Sequence, residues 1–410
     1  MSGSTFVIVG ASLAGAKAAE ELRSQGFDGR VLLLGAESER PYERPPLTKD
    51  YLRGESEREQ AYVHAASFYA ENEIELETGT AVTQIDPASR RVTLADGRAI
   101  EFDRLLLTTG AEPRRIPVDG ATLDGVHYLR TLADCDVLRE LLTAGGHAVV
   151  VGAGWIGSEF AASARQRGLE VTVVDPLELP NERLFGAEIG TFYRDVHTSH
   201  GVEMVLGEGV EALLGDTAVK AVRTAGGREI ACDFVVVGIG VEPRVQLAQA
   251  AGLDVDNGIL VSEALETSAP TVFAAGDAAH ALHPFYGARI RLEHWANALN
   301  QGPAAARSML GQATSYDRIP YFFSDQYDVG MEYAGYAPKW DEIVFRGERD
   351  SGKFIAFYLK DQRVIAGMNV NVWDVNEQIQ ALIRSRKPIP RAALSDADTP
   401  LETLVEQSLA

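Results

Sequence analysis

The chain has 410 residues, 46% hydrophobic and 24% charged, which excludes a disordered polypeptide and predicts two or three hydrophobic cores. With 38 Lys and Arg against 59 Asp and Glu the net charge is −21, which argues against a nucleic-acid partner and requires any basic docking patch to be local. The two cysteines, Cys135 and Cys232, form no C-x-x-C pair, and no apolar run reaches about 18 residues, so no redox dithiol, disulfide framework or membrane span is predicted.

The first predicted strand, residues 6–9, runs into GASLAG at residues 10–15. Its apolar start lacks a basic leader and is broken by glycines, so it reads as strand and loop rather than a targeting signal, with the cytoplasm as the expected location. The loop is one glycine short of G-x-G-x-x-G, because Ser12 stands between Gly10 and Gly15. A helical stretch of small residues follows, then the β-rich run VLLLGAE ending at Glu37. Residues 102–114, FDRLLLTTGAEPR, add a further strand with a turn at Thr109-Gly110.

The same outline then recurs. AVVVGAGWIG at residues 148–157 carries Gly152, Gly154 and Gly157; VTVVD ends at Asp175; CDFVVVGIGVEPR at residues 232–244 closes the copy with Gly238-Ile239-Gly240. Two copies of strand, glycine loop, helix and acid-terminated strand predict two dinucleotide-binding units. In each, the first glycine permits the tight turn, the second lets a pyrophosphate approach the backbone, and the third lets helix and strand pack closely. The pyrophosphate meets free N–H groups and the positive end of the helix dipole. Glu37 and Asp175 are placed to accept hydrogen bonds from ribose hydroxyls. An acid at 175 repels a 2′-phosphate and so favours NADH over NADPH, with Arg183 the nearby cation that could oppose this preference.

Further along, TSAPTVFAAGDAA at residues 267–279 places a strand before Gly276-Asp277, where an acid can bind a ribityl hydroxyl. The histidine pairs His197/His200 and His280/His283 lack Cys or carboxylate partners at ligand spacing, so no metal site is predicted. Arg289 and Arg291, and Arg384, Arg386 and Lys387 at a predicted helix end, are two small basic clusters. Each reads either as a docking patch or as a solubilising face.

T-x-x-x-x-x-F-A-x-G-D resembles the second FAD signature of the glutathione-reductase superfamily. ERPYERPPLTKDYL at residues 39–52 is more specific. It resembles the FAD-dependent ferredoxin reductases of oxygenase systems, of the putidaredoxin-reductase and biphenyl-dioxygenase type. The likeness continues through HYLRT, GAGWIGSEFA, RLEHWANALNQG, YFFSDQYDVG and NVNVWDVNEQIQALI, and so covers essentially the whole chain. One departure is residues 320–323, Pro-Tyr-Phe-Phe, where the family is rich in tryptophan.

The resemblance implies an α/β fold with two interleaved Rossmann-like domains, for FAD and NAD, plus a C-terminal α+β domain. Residues 1–115 and 245–320 would form the FAD domain, 116–244 the NAD domain and 321–410 the C-terminal interface domain. It implies that FAD is held by Gly10, Ser12, Leu13, Ala14, Gly15, Glu37, Arg44, Pro45, Lys49, Val82, Thr109, Gly110, Arg130, Gly276, Asp277, Glu293, His294 and Trp295. NADH would be held by Gly152, Gly154, Trp155, Ile156, Gly157, Glu159, Asp175, Arg183, Gly238, Ile239 and Gly240. Lys49 and Glu159, the latter in the first turn of its helix, are the expected catalytic pair at the flavin. Lys49 would stabilise negative charge there, and Glu159 would orient the lysine and the nicotinamide. The implied activity is hydride transfer from NADH to FAD, then single-electron transfer to an iron–sulfur ferredoxin serving an oxygenase. A disulfide reductase, or an NADH oxidase or peroxidase, is disfavoured because Tyr42 and its neighbours stand where such enzymes carry redox cysteines. Rubredoxin or a quinone as acceptor, and a regulatory flavoprotein of the apoptosis-inducing-factor kind, remain alternatives.

Overall fold

The apolar runs flanking the two glycine loops form two parallel sheets of one design. In the first, the spatial order is Val272–Ala274, Arg104–Leu107, Thr5–Val9, Arg30–Leu34 and Ile74–Glu77. Val7, Ile8, Leu32, Leu33, Leu105 and Leu106 are all buried, as expected for strands covered on both faces. In the second, the order is Glu203–Leu206, Glu170–Asp175, His147–Val151, Phe234–Val237 and Val126–Tyr128. In both, the strand order reverses beside the strand that feeds a glycine loop. Open α/β sheets leave a ligand crevice at that point.

The duplication also extends to a three-stranded antiparallel meander in each copy. The first is Val82–Asp86, Arg91–Leu94 and Ala99–Glu101; the second is Val210–Gly215, Val219–Thr224 and Glu229–Ala231. A five-stranded antiparallel sheet follows, ordered Tyr321–Gln326, Val329–Gly335, Arg363–Val370, Lys353–Lys360 and Glu342–Glu348. Helices Asn376–Ser385, Arg391–Ser395 and Leu401–Leu409 complete this C-terminal part.

The computed structural model describes residues 3–409 and separates into two units. The first takes the chain through Pro45, then Glu57–Glu112 and Val241–Arg318; the second takes Pro46–Ser56, Pro113–Gly240 and the described residues from Ile319 onward. Residues 46–56, assigned to the FAD domain from sequence, pack in the second unit. There the Cys135 thiol donates to the Leu47 carbonyl (3.3 Å), Ser163 Oγ to the Thr48 carbonyl (2.6 Å), and Tyr51 OH to Asp136 Oδ1 (2.6 Å). The C-terminal sheet and helices from Tyr321 onward form the expected α+β domain, and its sheet packs a core against the second parallel-sheet region. Phe185, Ile189 and Tyr193 pack with Met331, Phe354, Tyr358 and Met368 in one buried cluster. Burying each such side chain is worth roughly 1.5–3 kcal/mol, which makes the junction a core and not a linker. Among the described residues no helix is long and apolar enough to cross a membrane.

Candidate functional site

In the first unit the loop after Thr5–Val9 is closed by its own backbone. Gly10 has φ +119°, and a Cβ there would lie 2.1 Å from the Thr108 carbonyl oxygen. A Cβ on Gly15 would lie 2.2 Å from the Gly10 carbonyl oxygen. Thr108 Oγ1 donates to that same Gly10 carbonyl at 2.8 Å. The first and third glycines are therefore fixed by packing inside the protein. Helix Leu13–Ser24 begins after Ser12, whose side chain makes no capping bond, and its first turn contains no acid. Its leading N–H groups, with Leu13 and Ala14 in the first turn, are left for an anion.

Arg44 Nη1 donates to Ser12 Oγ at 3.5 Å, and Arg44 Nη2 lies 3.9 Å from Glu37 Oε1, while Glu37 Oε2 accepts from Tyr42 OH at 2.6 Å. Glu37 itself sits beyond the strand end, because Arg30–Leu34 stops three residues earlier. Pro45 follows Arg44. Gly276, φ +75°, lies over this helix start, where its Cβ would touch the Ala14 Cβ at 3.3 Å. The Gln301 side-chain oxygen accepts from the Gly276 N–H at 2.9 Å and so orients Asp277. Glu293 pairs with Arg291 at 2.6 Å, and Arg291 donates to the Asp277 carbonyl at 3.4 Å. Burial pushes His294 down to about 4, against the opposing charge of Asp277, so its imidazole is neutral near pH 7. Trp295 opens helix Trp295–Met309, in which a Cβ on Gly302 would lie 2.2 Å from the Ala14 carbonyl oxygen. Thr109 Oγ1 donates to the Arg244 carbonyl at 2.7 Å, and Gly110 takes φ +70°.

Two residues expected at this cofactor, Lys49 and Arg130, belong to the second unit. Arg130 precedes helix Leu132–Ala144, and its N–H donates to Asp134. Val82 begins a meander strand and pairs with Leu94.

The second unit repeats the loop with a difference at its centre. Gly152 has φ +107°, and a Cβ there would lie 2.4 Å from the Gly238 carbonyl oxygen; a Cβ on Gly157 would lie 2.0 Å from the Gly152 carbonyl oxygen. At Gly154 the nearest atom to such a Cβ is 3.9 Å away. Protein packing does not require this glycine, and the empty volume is a cradle that a side chain would fill. Gly154 N-caps helix Trp155–Gln166 with no side chain, and the first turn again holds no acid. Both features fit a nucleotide pyrophosphate. Asp175 ends its strand and is turned toward the loop: Oδ2 accepts from the Ala153 N–H (2.7 Å) and Oδ1 from the Leu177 N–H (2.8 Å).

Trp155 packs against Phe185, Tyr193 and Phe322, with ring centroids 5.2–5.6 Å apart. Ile156 is partly buried beside it. Ile239 packs on the sheet core, Gly240 takes φ +96°, and Arg183 is exposed on Glu182–Phe185.

Glu159 lies in the second turn of helix Trp155–Gln166, not the first, because the helix starts at Trp155. It is buried, and Lys49 Nζ meets its Oε2 at 2.6 Å, with both side chains little exposed. Thr48 Oγ1 donates to the same oxygen at 2.5 Å and Ser324 Oγ to Oε1 at 2.7 Å. Neither is a solvated surface charge. Removing one partner of such a buried pair typically costs about 3–5 kcal/mol. Phe323 lies 5.7 Å from Lys49 Nζ. Sequence reasoning missed Thr48, Thr108, Gln301 and Ser324. Polar residues within otherwise apolar or small-residue stretches, as in YFFSDQ, were the available signal.

Of the basic clusters, Arg289 and Arg291 are engaged internally: Arg289 donates to the Val261 and His280 carbonyls, and Arg291 pairs with Glu293. Arg384, Arg386 and Lys387 are exposed at the end of Asn376–Ser385. Cys135 and Cys232 are buried and form no disulfide.

Comparison with known proteins agrees with this architecture. Residues 4–302 match the pyridine nucleotide-disulphide oxidoreductase family, and residues 321–405 match the reductase C-terminal family. The chain is 39% identical to rhodocoxin reductase of Rhodococcus erythropolis over 98% of its length and 94% of the relative's. It is 36% identical to putidaredoxin reductase of Pseudomonas putida, covering 97% of this chain and 96% of the relative. The solved covalent putidaredoxin reductase–putidaredoxin complex has a chain that superposes with a TM-score of 0.97, at 36% identity and 100% coverage of both chains. The chain therefore belongs to the pyridine nucleotide-disulphide oxidoreductase family and carries, after it, a reductase C-terminal domain.

Proposed function

We propose that the chain is an FAD-dependent NADH:ferredoxin oxidoreductase that supplies electrons to a monooxygenase or dioxygenase. The observation that carries this reading is the duplicated glycine loop, whose second copy leads into a helix whose Glu159 is buried against Lys49, with no redox cysteine there. Relatives over nearly the full chain support it, being named for rhodocoxin, putidaredoxin and the ferredoxin of a biphenyl dioxygenase system. FAD, when bound, would supply acceptance of a hydride from NADH and one-electron release to an iron–sulfur protein.

The chain's own residues bind and orient. Gly10, Ser12, Leu13, Ala14 and Gly15 hold the FAD pyrophosphate on the helix N–H groups. Glu37 and Arg44 face the adenosine end, while Asp277, set by Gln301, and Thr109-Gly110 face the flavin end. Pro45, Val82, Arg130, Glu293, His294 and Trp295 complete the FAD set. Gly152, Gly154 and Gly157 hold the NADH pyrophosphate, backed by Gly238, with Trp155, Ile156, Arg183, Ile239 and Gly240 around it. Asp175 accepts from the ribose hydroxyls and disfavours a 2′-phosphate. Lys49 places an ammonium where negative charge develops, and Glu159 fixes that ammonium and the incoming nicotinamide amide. A cytoplasmic location fits two buried cysteines that form no disulfide.

Anaerobic titration tests this reading. The purified protein carries FAD absorbance, NADH bleaches it at lower concentration than NADPH, and Asp175→Ala narrows the gap by about tenfold, the worth of a charge-assisted hydrogen bond. A wild-type preference for NADPH would remove the role given to Asp175.

A further inference from the structure

Behind Glu159 runs a buried polar chain that the reaction as described does not use. Ser324 Oγ donates to Glu159 Oε1 at 2.7 Å, and Gln326 Nε2 donates to Ser324 Oγ at 3.2 Å. His197 Nε2 meets the Gln326 side-chain oxygen at 2.9 Å, and His197 Nδ1 meets Tyr327 OH at 3.3 Å. Tyr327 stacks on the exposed His200, with centroids 3.7 Å apart.

The donors all point one way. Gln326 spends its amide N–H on Ser324, so its oxygen faces the imidazole and can only accept. His197 therefore carries its proton on Nε2, and its Nδ1 accepts from Tyr327. Ser324 and Gln326 are 1% exposed and His197 is 0% exposed. An apolar trio would occupy this interior at less desolvation cost. Retaining three satisfied polar groups instead gives a directed set of donors that ends on one carboxylate oxygen.

That oxygen needs an anchor. Thr48 and Lys49 both engage Oε2, which leaves the carboxylate plane free to turn about χ3, a broad two-fold torsion. A hydroxyl held on Oε1 fixes the plane. We propose that Ser324, itself fixed by Gln326 and His197, is a positioning residue for Glu159: it locks the carboxylate orientation that aims Lys49. This rests on the reading of Lys49 and Glu159 as the pair serving the flavin.

The test uses the FAD-loaded full chain with Ser324→Ala, Ser324→Thr, Glu159→Gln and the double variant Glu159→Gln/Ser324→Ala. Two quantities are measured: the rapid-mixing rate of flavin bleaching at saturating NADH, and the midpoint potential of the bound flavin from dye titration. Ser324→Ala is expected to slow bleaching about tenfold, the equivalent of one charge-assisted hydrogen bond, with little change in half-saturation by NADH. It should also move the potential to more negative values. Ser324→Thr, which keeps a hydroxyl, should recover most of both. The double variant should be no slower than Glu159→Gln alone, since the two residues act as one unit. If Ser324→Ala matches wild type in rate and potential while Glu159→Gln is slow, the positioning role is wrong and the pair stands. If Glu159→Gln itself matches wild type, the reading of the pair fails and this inference fails with it.

Discussion

At position 12 any penalty lies in the side chain and none in the backbone. Ser12 takes φ −125°, ψ −161°, and Gly154, its counterpart, takes φ −74°, ψ 179°; both are open to any L-residue. The outer glycines differ, since their absent Cβ atoms make room for carbonyl oxygens of the same unit. Gly157→Ala is therefore expected to destabilise the protein by about 1–3 kcal/mol through overpacking. Gly154→Ala should shift stability by less than about 1 kcal/mol while weakening NADH binding, because its methyl enters only the nucleotide's volume. Thermal melting without NADH, set beside NADH half-saturation, separates the two; equal melting losses would contradict the division. Ser12→Gly should leave FAD retention within about threefold, half the free energy of a typical hydrogen bond. A sharp tightening would mark the serine as a weakness. The tight turns at the outer motif glycines were legible because each lies in a local pattern, and the contact of Lys49 with Glu159 followed from the family resemblance. Ser324 was not, because its partner is 165 positions away in the chain and only folding brings the two together.

Helix Ala187–Ser199 shows what element-level reading can and cannot deliver. The His197/His200 spacing is visible in sequence as two histidines of equal standing, yet the helix buries His197 while His200, just past its end, is exposed. Burial pushes His197 down from 6.5 to about 4, with the Gln326 hydrogen bond opposing. The folded protein thus keeps His197 neutral where the unfolded chain takes up a proton. The stability this represents is complete above pH 6.5 and is lost as pH falls toward 4, roughly 3 kcal/mol in all. Urea midpoints between pH 7 and 4.5 should fall more steeply for wild type than for His197→Gln. His294 in the first unit, also held down to about 4, preserves part of the slope in the variant. Equal slopes would mean that His197 is protonated in the folded state. The strands and helices around both glycine loops were legible from repeat and periodicity. The shared core of Tyr193 with Met331 and Phe354 was not, since it joins elements far apart in sequence.

For the whole molecule, a net charge of −21 makes association with an acidic redox partner unfavourable except at a local basic edge. Arg289 and Arg291 bond to groups of their own unit, whereas Arg384, Arg386 and Lys387 stand exposed together at a helix end, and that grouped exposure makes them the stronger candidates for that edge. Arg384→Gln/Lys387→Gln should lower the second-order rate of ferredoxin reduction several-fold at low ionic strength, with the gap closing at high salt. A rate indifferent to salt in both proteins would count against electrostatic docking there. Whole-chain architecture was legible through the duplication, but the grouping of residues 46–56 with the second unit depends on contacts of Leu47, Thr48 and Tyr51 that no local pattern announces. The central claim concerns where the electrons go. Its most direct test is steady-state NADH oxidation by the FAD-loaded protein, comparing ferricyanide, a quinone, rubredoxin and a panel of ferredoxins from the same genome. The structure and its relatives predict efficient turnover with ferricyanide and with one or a few ferredoxins. Uniformly poor rates with every ferredoxin, alongside fast reduction of quinone or rubredoxin, would contradict it.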